Sequence, residues 1–266
     1  MTITILQFGC GNMGGAMLAG WLAAGYDPAA FTVVDPMLAE APAGVRLLHD
    51  APAGEAPADV VLLGFKPQQL GTSAAAIRPH VGEGTLLLSI LAGTDCARLR
   101  ALFPEAAAIV RVMPNLAAAL GKSPIALYGD AAGEARSRIE ALMAPLGPAE
   151  WLADEEAMHL VTALAGSGPA FVYRFIDALA EAATALGFPR AQADRLALAM
   201  VDGASALAAA APDSPGELAR RVASPGGTTE AGLKALDAEG RLVALLTDTL
   251  RGARDRSVEM TQGAGN

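Results

Sequence analysis

The chain has 266 residues, 53% of them apolar and 18% charged, with a formal net charge of −9. That balance excludes an intrinsically disordered polymer, and the length suits about two domains. The acidic balance, without any basic tract, argues against a reader of phosphate backbones, so no nucleic-acid partner is expected.

Cysteine is sparse, with only Cys10 and Cys96. Two isolated thiols fit a reducing compartment and exclude a zinc cluster of cysteines, so no metal site is expected. Residues 1–9 carry no basic residue ahead of their apolar run, unlike a signal peptide. No stretch reaches the ~18 uninterrupted apolar residues of a membrane span. A soluble, cytoplasmic protein with no membrane partner is the expectation.

In chain order, residues 2–8 read as a strand and 12–24 as a helix ending near Gly25. Further strands are expected at 31–34, 59–64, 85–91 and 108–112, with shorter ones at 125–128 and 150–152. Continuous apolar strands alternating with helical stretches imply a parallel sheet covered on both faces. From residue 154 onward the pattern is helical. Residues 155–187 form helix interrupted at Gly166-Ser167-Gly168-Pro169, where Pro169 must kink or restart it. Helices follow at 190–211, 217–223, 229–238 and 241–260. The expected boundary therefore divides the chain into 1–153 and 154–266.

The strongest local signal is Gly9-Cys10-Gly11-Asn12-Met13-Gly14, placed after a strand and opening a helix. This is the context of a dinucleotide fingerprint. Gly9 permits the tight turn, Gly11 lets the backbone approach a pyrophosphate, and Gly14 lets helix and strand pack closely. The helix N-terminus then offers free N–H groups and a favourable dipole to the phosphates. Asp35, at the end of the second strand, suits a ribose 2′-OH and would repel a 2′-phosphate, which points to NAD(H). Alternatively, it only begins the turn made by Pro36.

Three other strand ends share that rim. Gly64-Phe65-Lys66-Pro67 offers Lys66, either a cofactor contact or a solvated loop lysine. Leu91-Ala92-Gly93 and Met113-Pro114-Asn115 follow, with Asn115 the better polar candidate. In the helical half, Ser224-Pro225-Gly226-Gly227-Thr228-Thr229 joins two helices. It reads either as a carboxylate site, built from a flexible backbone and a helix N-terminus, or as an ordinary capped turn. His159 is as consistent with a packed side chain as with a proton donor. Lys122-Ser123 lacks the glycine-rich loop of a P-loop.

Several of these runs together resemble the pyrroline-5-carboxylate reductase family. They are Phe8 through Gly14, Gly64 through Pro67, Val110 through Asn115, Val161 through Phe171, and Leu218 through Thr229. The resemblance implies an α/β fold with an N-terminal Rossmann-type, mostly parallel sheet and a C-terminal all-helical dimerisation domain. It implies hydride transfer from NADP(H) or NAD(H) to 1-pyrroline-5-carboxylate, giving L-proline, in a homodimer or larger homo-oligomer. By the same resemblance, Ser224, Gly226, Gly227, Thr228 and Thr229 bind substrate, and the Thr229 hydroxyl meets the ring nitrogen as the catalytic contact. Phe8, Gly9, Cys10, Gly11, Asn12, Met13, Gly14, Asp35, Gly64, Lys66, Pro67, Leu91, Ala92 and Asn115 line the cofactor. The chain departs from the family at His49-Asp50-Ala51-Pro52, where an asparagine often faces the adenosine ribose, and at Leu116-Ala117, where a Thr-Pro pair is frequent. A hydroxyacid dehydrogenase of the same plan would need a catalytic lysine on the first helix of the second domain, and residues 154–187 contain none. A dinucleotide-sensing regulator would bind cofactor without turnover.

Overall fold

The computed structural model describes residues 3–263. Eight strands form one sheet: β1 (Ile5–Phe8), β2 (Phe31–Val34), β3 (Arg46–Leu48), β4 (Val60–Leu63), β5 (Leu86–Ser89), β6 (Ala108–Met113), β7 (Ile125–Gly129) and β8 (Ala149–Trp151). Their spatial order is β3-β2-β1-β4-β5-β6-β7-β8. Every neighbouring pair is parallel except β6 with β7. The first six strands follow the 3-2-1-4-5-6 order of the doubly wound dinucleotide folds, which opens a crevice where the order reverses, between β1 and β4.

Period-two alternation divides the core into two layers. Ile5, Val33, Leu62, Leu88 and Val110 project to one face, against Met17, Leu18 and Trp21 of α1 (Asn12–Ala23) and Ile139 and Leu142 of α4 (Gly133–Met143). Leu6, Phe8, Val61, Leu63 and Leu87 project to the other, against Leu70 and Ile77 of α2 (Leu70–Ile77) and Leu99 of α3 (Cys96–Leu102). With both faces covered, the strands read as unbroken apolar runs. Trp21 is fully buried and donates its indole N–H to the Leu142 carbonyl at 2.7 Å, so the ring's one polar atom is satisfied.

The helices after β8 are α5 (Ala157–Val161), α6 (Gly168–Ala185), α7 (Arg190–Ala210), α8 (Pro215–Val222), α9 (Thr228–Leu236) and α10 (Arg241–Gly263). Between α5 and α6 the chain winds as a π-helix over Thr162–Gly166. Pro169 sits in the first turn of α6, where a missing N–H costs nothing, so it restarts the helix rather than kinking it.

The chain separates into two compact units, 1–166 with 253–266, and 167–252. This differs from a division at residue 153. Secondary structure changes there, but α5 remains with the sheet. Glu155 explains part of that: one of its carboxylate oxygens accepts from Cys96 N–H at 2.8 Å and from Arg111 Nη1 at 2.8 Å. His159 in α5 is buried and meets Ser257 Oγ of α10 at 2.9 Å, a packed side chain within the first unit.

The second unit has little core of its own. Among its described residues, Ala180 and Ala193 are the buried apolar side chains, while Val172, Tyr173, Phe175, Leu198, Met200 and Leu245 are exposed. Among the described residues of the whole chain no single helix is long and apolar enough to cross a membrane.

Candidate functional site

The glycine loop lies at the crevice between β1 and β4. Gly9 has φ +86°, and a Cβ there would lie 2.7 Å from the Gly64 carbonyl carbon and from Phe65 N. A Cβ on Gly64 would in turn lie 2.9 Å from the Gly9 carbonyl oxygen. Each glycine therefore lets the other strand end approach. Gly9 N–H donates to the Val34 carbonyl at 2.9 Å, and Gly64 N–H to the Phe8 carbonyl at 2.7 Å.

Gly11 is different. It is exposed, its φ of −67° and ψ of −165° suit any residue, and nothing lies within 4 Å of where its Cβ would be. The fold makes no demand for glycine at this position. The space beside it opens at the N-terminus of α1, which carries no side-chain cap, so the first-turn N–H groups beginning at Asn12 remain for a ligand. A backbone kept bare where the protein leaves room, beneath uncapped helix donors, suits the pyrophosphate of a dinucleotide.

Asp35 follows β2 directly and is half-buried. Its Oδ2 accepts from Cys10 N–H at 2.7 Å and its Oδ1 from Met37 N–H at 2.9 Å. The carboxylate is thus held against the glycine loop as well as opening the turn at Pro36. Arg46, the first basic residue after it, pairs with Glu55 at 2.7 Å. Burial, then the Asp35 charge, push the Cys10 thiol above its ordinary range, while a hydrogen bond from Gln7 pulls the other way.

The remaining rim residues divide by environment. The Phe8 side chain is buried in the α2–α3 layer of the core, so only its backbone reaches the loop. Asn12 is exposed and Met13 half-buried at the start of α1, and Gly14 is buried, 2.8 Å from the Gly9 carbonyl oxygen at its would-be Cβ. Lys66 is exposed and Pro67 opens a short 3-10 turn, Pro67–Gln69. Leu91 is buried and Ala92 half-buried. Asn115 is engaged inside the protein: Oδ1 accepts from Ala117 N–H at 2.9 Å, and Nδ2 donates to the Ala165 carbonyl at 3.0 Å. It caps one turn and ties β6 to the π-helix, so its amide is not directed wholly at a ligand.

In the second unit, Ser224-Pro225-Gly226-Gly227 forms a turn closed by Gly227 N–H to the Ser224 carbonyl at 2.9 Å. Pro at its second position and a Gly of φ +72° at its third are the chemistry of a type II turn. Gly226 N–H donates to Glu230 Oε2 at 2.6 Å, while Glu230 Oε1 pairs with Lys234 at 2.8 Å. Lys234 first, then the Gly226 N–H, hold the Glu230 carboxyl below its usual range. Both glycine N–H groups are therefore engaged, one within the turn and one by α9. Gly227 caps α9 with no side chain, and Thr228 and Thr229, both exposed, occupy its first turn with their N–H groups outward.

Among the described residues no group of three or more His, Cys, Asp or Glu is arranged to hold a metal.

Comparison with known proteins adds the family. Residues 155–260 match the family model described as pyrroline-5-carboxylate reductase dimerisation, and residues 2–93 match the one described as NADP oxidoreductase, coenzyme F420-dependent. A pyrroline-5-carboxylate reductase of Pseudomonas aeruginosa is 36% identical, over 99% of both chains. One from Methanosarcina acetivorans is 33% identical, over 95% of this chain and 96% of that one. Among solved structures, a pyrroline-5-carboxylate reductase from Coxiella burnetii superposes with a TM-score of 0.90 at 30% identity, covering 98% of this chain and 99% of the other. The enzyme from Plasmodium falciparum, solved with NADP bound, reaches 0.82 at 23% identity over 97% and 98%, and shares the fold. Sheet order, glycine loop and the likeness of the whole chain to these relatives lead to one conclusion: the chain belongs to the pyrroline-5-carboxylate reductase family.

Proposed function

We propose that this protein reduces 1-pyrroline-5-carboxylate to L-proline with a nicotinamide cofactor. The observation that carries the reading is Gly11. The fold leaves it bare, exposed and flanked by uncapped helix donors, as a pyrophosphate requires. In this reading Gly9 and Gly64 shape the crevice, the first-turn N–H groups of α1 hold the pyrophosphate, and Lys66, Pro67, Leu91 and Ala92 border the cofactor. Asn115 positions the rim. Asp35 bonds the adenosine ribose and favours NADH over NADPH, since a 2′-phosphate beside a carboxylate is repelled.

The bound cofactor supplies a hydride to the imine carbon. The chain's residues hold and orient the substrate. Thr228 and Thr229 N–H groups and the dipole of α9 bind the carboxylate, in a turn shaped by Ser224, Gly226 and Gly227. The Thr229 hydroxyl accepts a hydrogen bond from the protonated imine nitrogen. An imine taken up already protonated needs no further proton at the chemical step, so placement dominates the catalysis.

The exposed apolar side chains of the second unit fit a second copy of this chain, which would cover them in a homodimer or larger homo-oligomer. The free thiols of Cys10 and Cys96 fit a cytoplasmic setting. The test is purified protein incubated with pyrroline-5-carboxylate and NADH or NADPH, following loss of the reduced nicotinamide and appearance of proline. No turnover with either cofactor, under conditions where cofactor binds, would leave a dinucleotide-binding protein of another purpose.

A further inference from the structure

Gln7 is a polar side chain in the driest part of the sheet. It lies on β1, the strand beside the crevice, opposite Val33 on β2 and Leu62 on β4. All three residues are fully buried. The Gln7 amide has one hydrogen-bond partner among backbone groups, the Gly9 carbonyl, which accepts from Nε2 at 3.0 Å. Its Oε1 is buried with no partner. Turning the amide over would set oxygen against the Gly9 carbonyl oxygen and withdraw the donor that also meets the Cys10 thiol, so the orientation is fixed. An apolar residue would suit this layer better, since an unsatisfied buried amide oxygen is costly.

The same peptide unit is held at its other end. The Gly9–Cys10 peptide presents its carbonyl to Gln7 and its N–H to Asp35 Oδ2 at 2.7 Å. In a trans peptide these two groups point in opposite directions, so Gln7 below and Asp35 above grip one plane. Gly14 makes room for the arrangement: a Cβ there would lie 2.7 Å from Gln7 Nε2.

We infer that Gln7 is a positioning residue for the cofactor site, acting through the Gly9–Cys10 peptide to set the place of the Asp35 carboxylate and with it the choice between NADH and NADPH. The inference rests on the nicotinamide-binding reading above. With Gln7 present, the peptide plane cannot rotate, and Asp35 stays where a ribose 2′-OH would meet it. Without the amide, the plane has one tether, the Gly9 carbonyl can turn, and of the two N–H groups that hold Asp35 only that of Met37 stays fixed.

The test uses Gln7→Met and Gln7→Leu in the full chain, with dissociation constants for NADH and NADPH by fluorescence titration and KM for the imine by steady-state kinetics. Loss of one neutral hydrogen bond should weaken NADH binding about two- to tenfold. NADPH binding should fall less, so the ratio of the two constants narrows. KM for the imine should stay within about twofold, the scale of an unperturbed contact. A residue that only stabilised the fold would weaken both cofactors alike and lower the melting temperature. That pattern, or unchanged constants for both cofactors, overturns the inference. If either variant fails to fold, the other gives the same ratio. Two unfolded variants would make Gln7 a core residue and end the proposal. If the unaltered protein binds neither cofactor, the nicotinamide reading fails and takes the inference with it; binding without the change of ratio defeats the inference alone.

Discussion

Replacing Gly11 by valine should remove dinucleotide binding while leaving the fold in place. The structure supplies both sides of that expectation. Gly11 has ordinary extended angles and, apart from its chain neighbours, nothing within 4 Å of where a Cβ would stand, so the first carbon of a side chain enters open space. It occupies the N-cap of α1, where glycine is preferred to valine, so the variant should lose about 1 kcal/mol of stability or less. The cost to binding is larger. Two first-turn N–H groups on a charged pyrophosphate contribute about 1.5–3 kcal/mol each, roughly 3–6 together. Affinity should therefore fall by roughly two to four orders of magnitude when the side chain holds the ligand away. Thermal unfolding by circular dichroism and titration of NADH quenching the protein's fluorescence measure the two effects separately. Unchanged affinity in a folded variant would refute the placement of the pyrophosphate. An unfolded variant would refute the claim that the fold makes no use of the bare backbone.

Asp35→Ser combined with Pro36→Arg should shift the kcat/KM ratio toward NADPH by removing a repulsive carboxylate and adding a phosphate partner; a ratio unchanged from the parent would remove Asp35 from cofactor choice. Thr229→Ala should lower turnover roughly ten- to a hundredfold, the scale of one hydrogen bond to a charged group, with cofactor affinity unchanged and Thr229→Ser largely active. Wild-type kcat/KM in Thr229→Ala would reduce the residue to part of a helix cap. Burial first, then Glu155, push the Cys96 thiol up to about 12 from an ordinary 9.0. A raised thiol pKa stabilises the fold fully below the ordinary value, and that contribution is lost as pH climbs from 9.0 toward 12, because the unfolded chain ionises first. Stability measured by denaturant should thus fall along that limb, and Cys96→Ala should flatten it; an equally steep limb in the variant would place the alkaline sensitivity elsewhere.

The glycine fingerprint, the apolar strands and the helical second half are readable because each depends on local pattern. The strand expected at 31–34 is observed as Phe31–Val34, and the helix expected at 190–211 as Arg190–Ala210. Where the outcome depends on distant partners, the pattern is silent. β3 has three residues, too few for alternation to show, and exists because Thr32, Val33 and Val34 offer a parallel edge. Arg111 sits inside an apolar run and is buried only because Glu155, 44 positions on, meets it. Gly226 N–H looks free on paper, yet Glu230 reaches back one helical turn to take it. The start of α8 does have a local signal, and it differs from the expected 217. Ser214 and Glu217 form a reciprocal cap with Pro215 at the first helical position, placing the helix two residues earlier.

The sheet unit is not one stretch of chain. It is made of 1–166 and 253–266, with the helical unit inserted between them. The closing piece is specific: Ser257 meets His159, and the Met260 carbonyl lies 3.3 Å from where a Cβ on Gly93 would stand, next to Leu91 and Ala92. Synthesis runs from the N-terminus, so this piece is made after the helical unit. The strands can pair early, but the rim at Gly93 waits for the final turns of α10. A gene cut at the end of β8 would encode a sheet lacking its keystone, and the two units cannot be exchanged between relatives as separate beads on a string. Removal of residues 253–263, far in sequence from the turn at 224–227, would disturb the chain around Gly93 first.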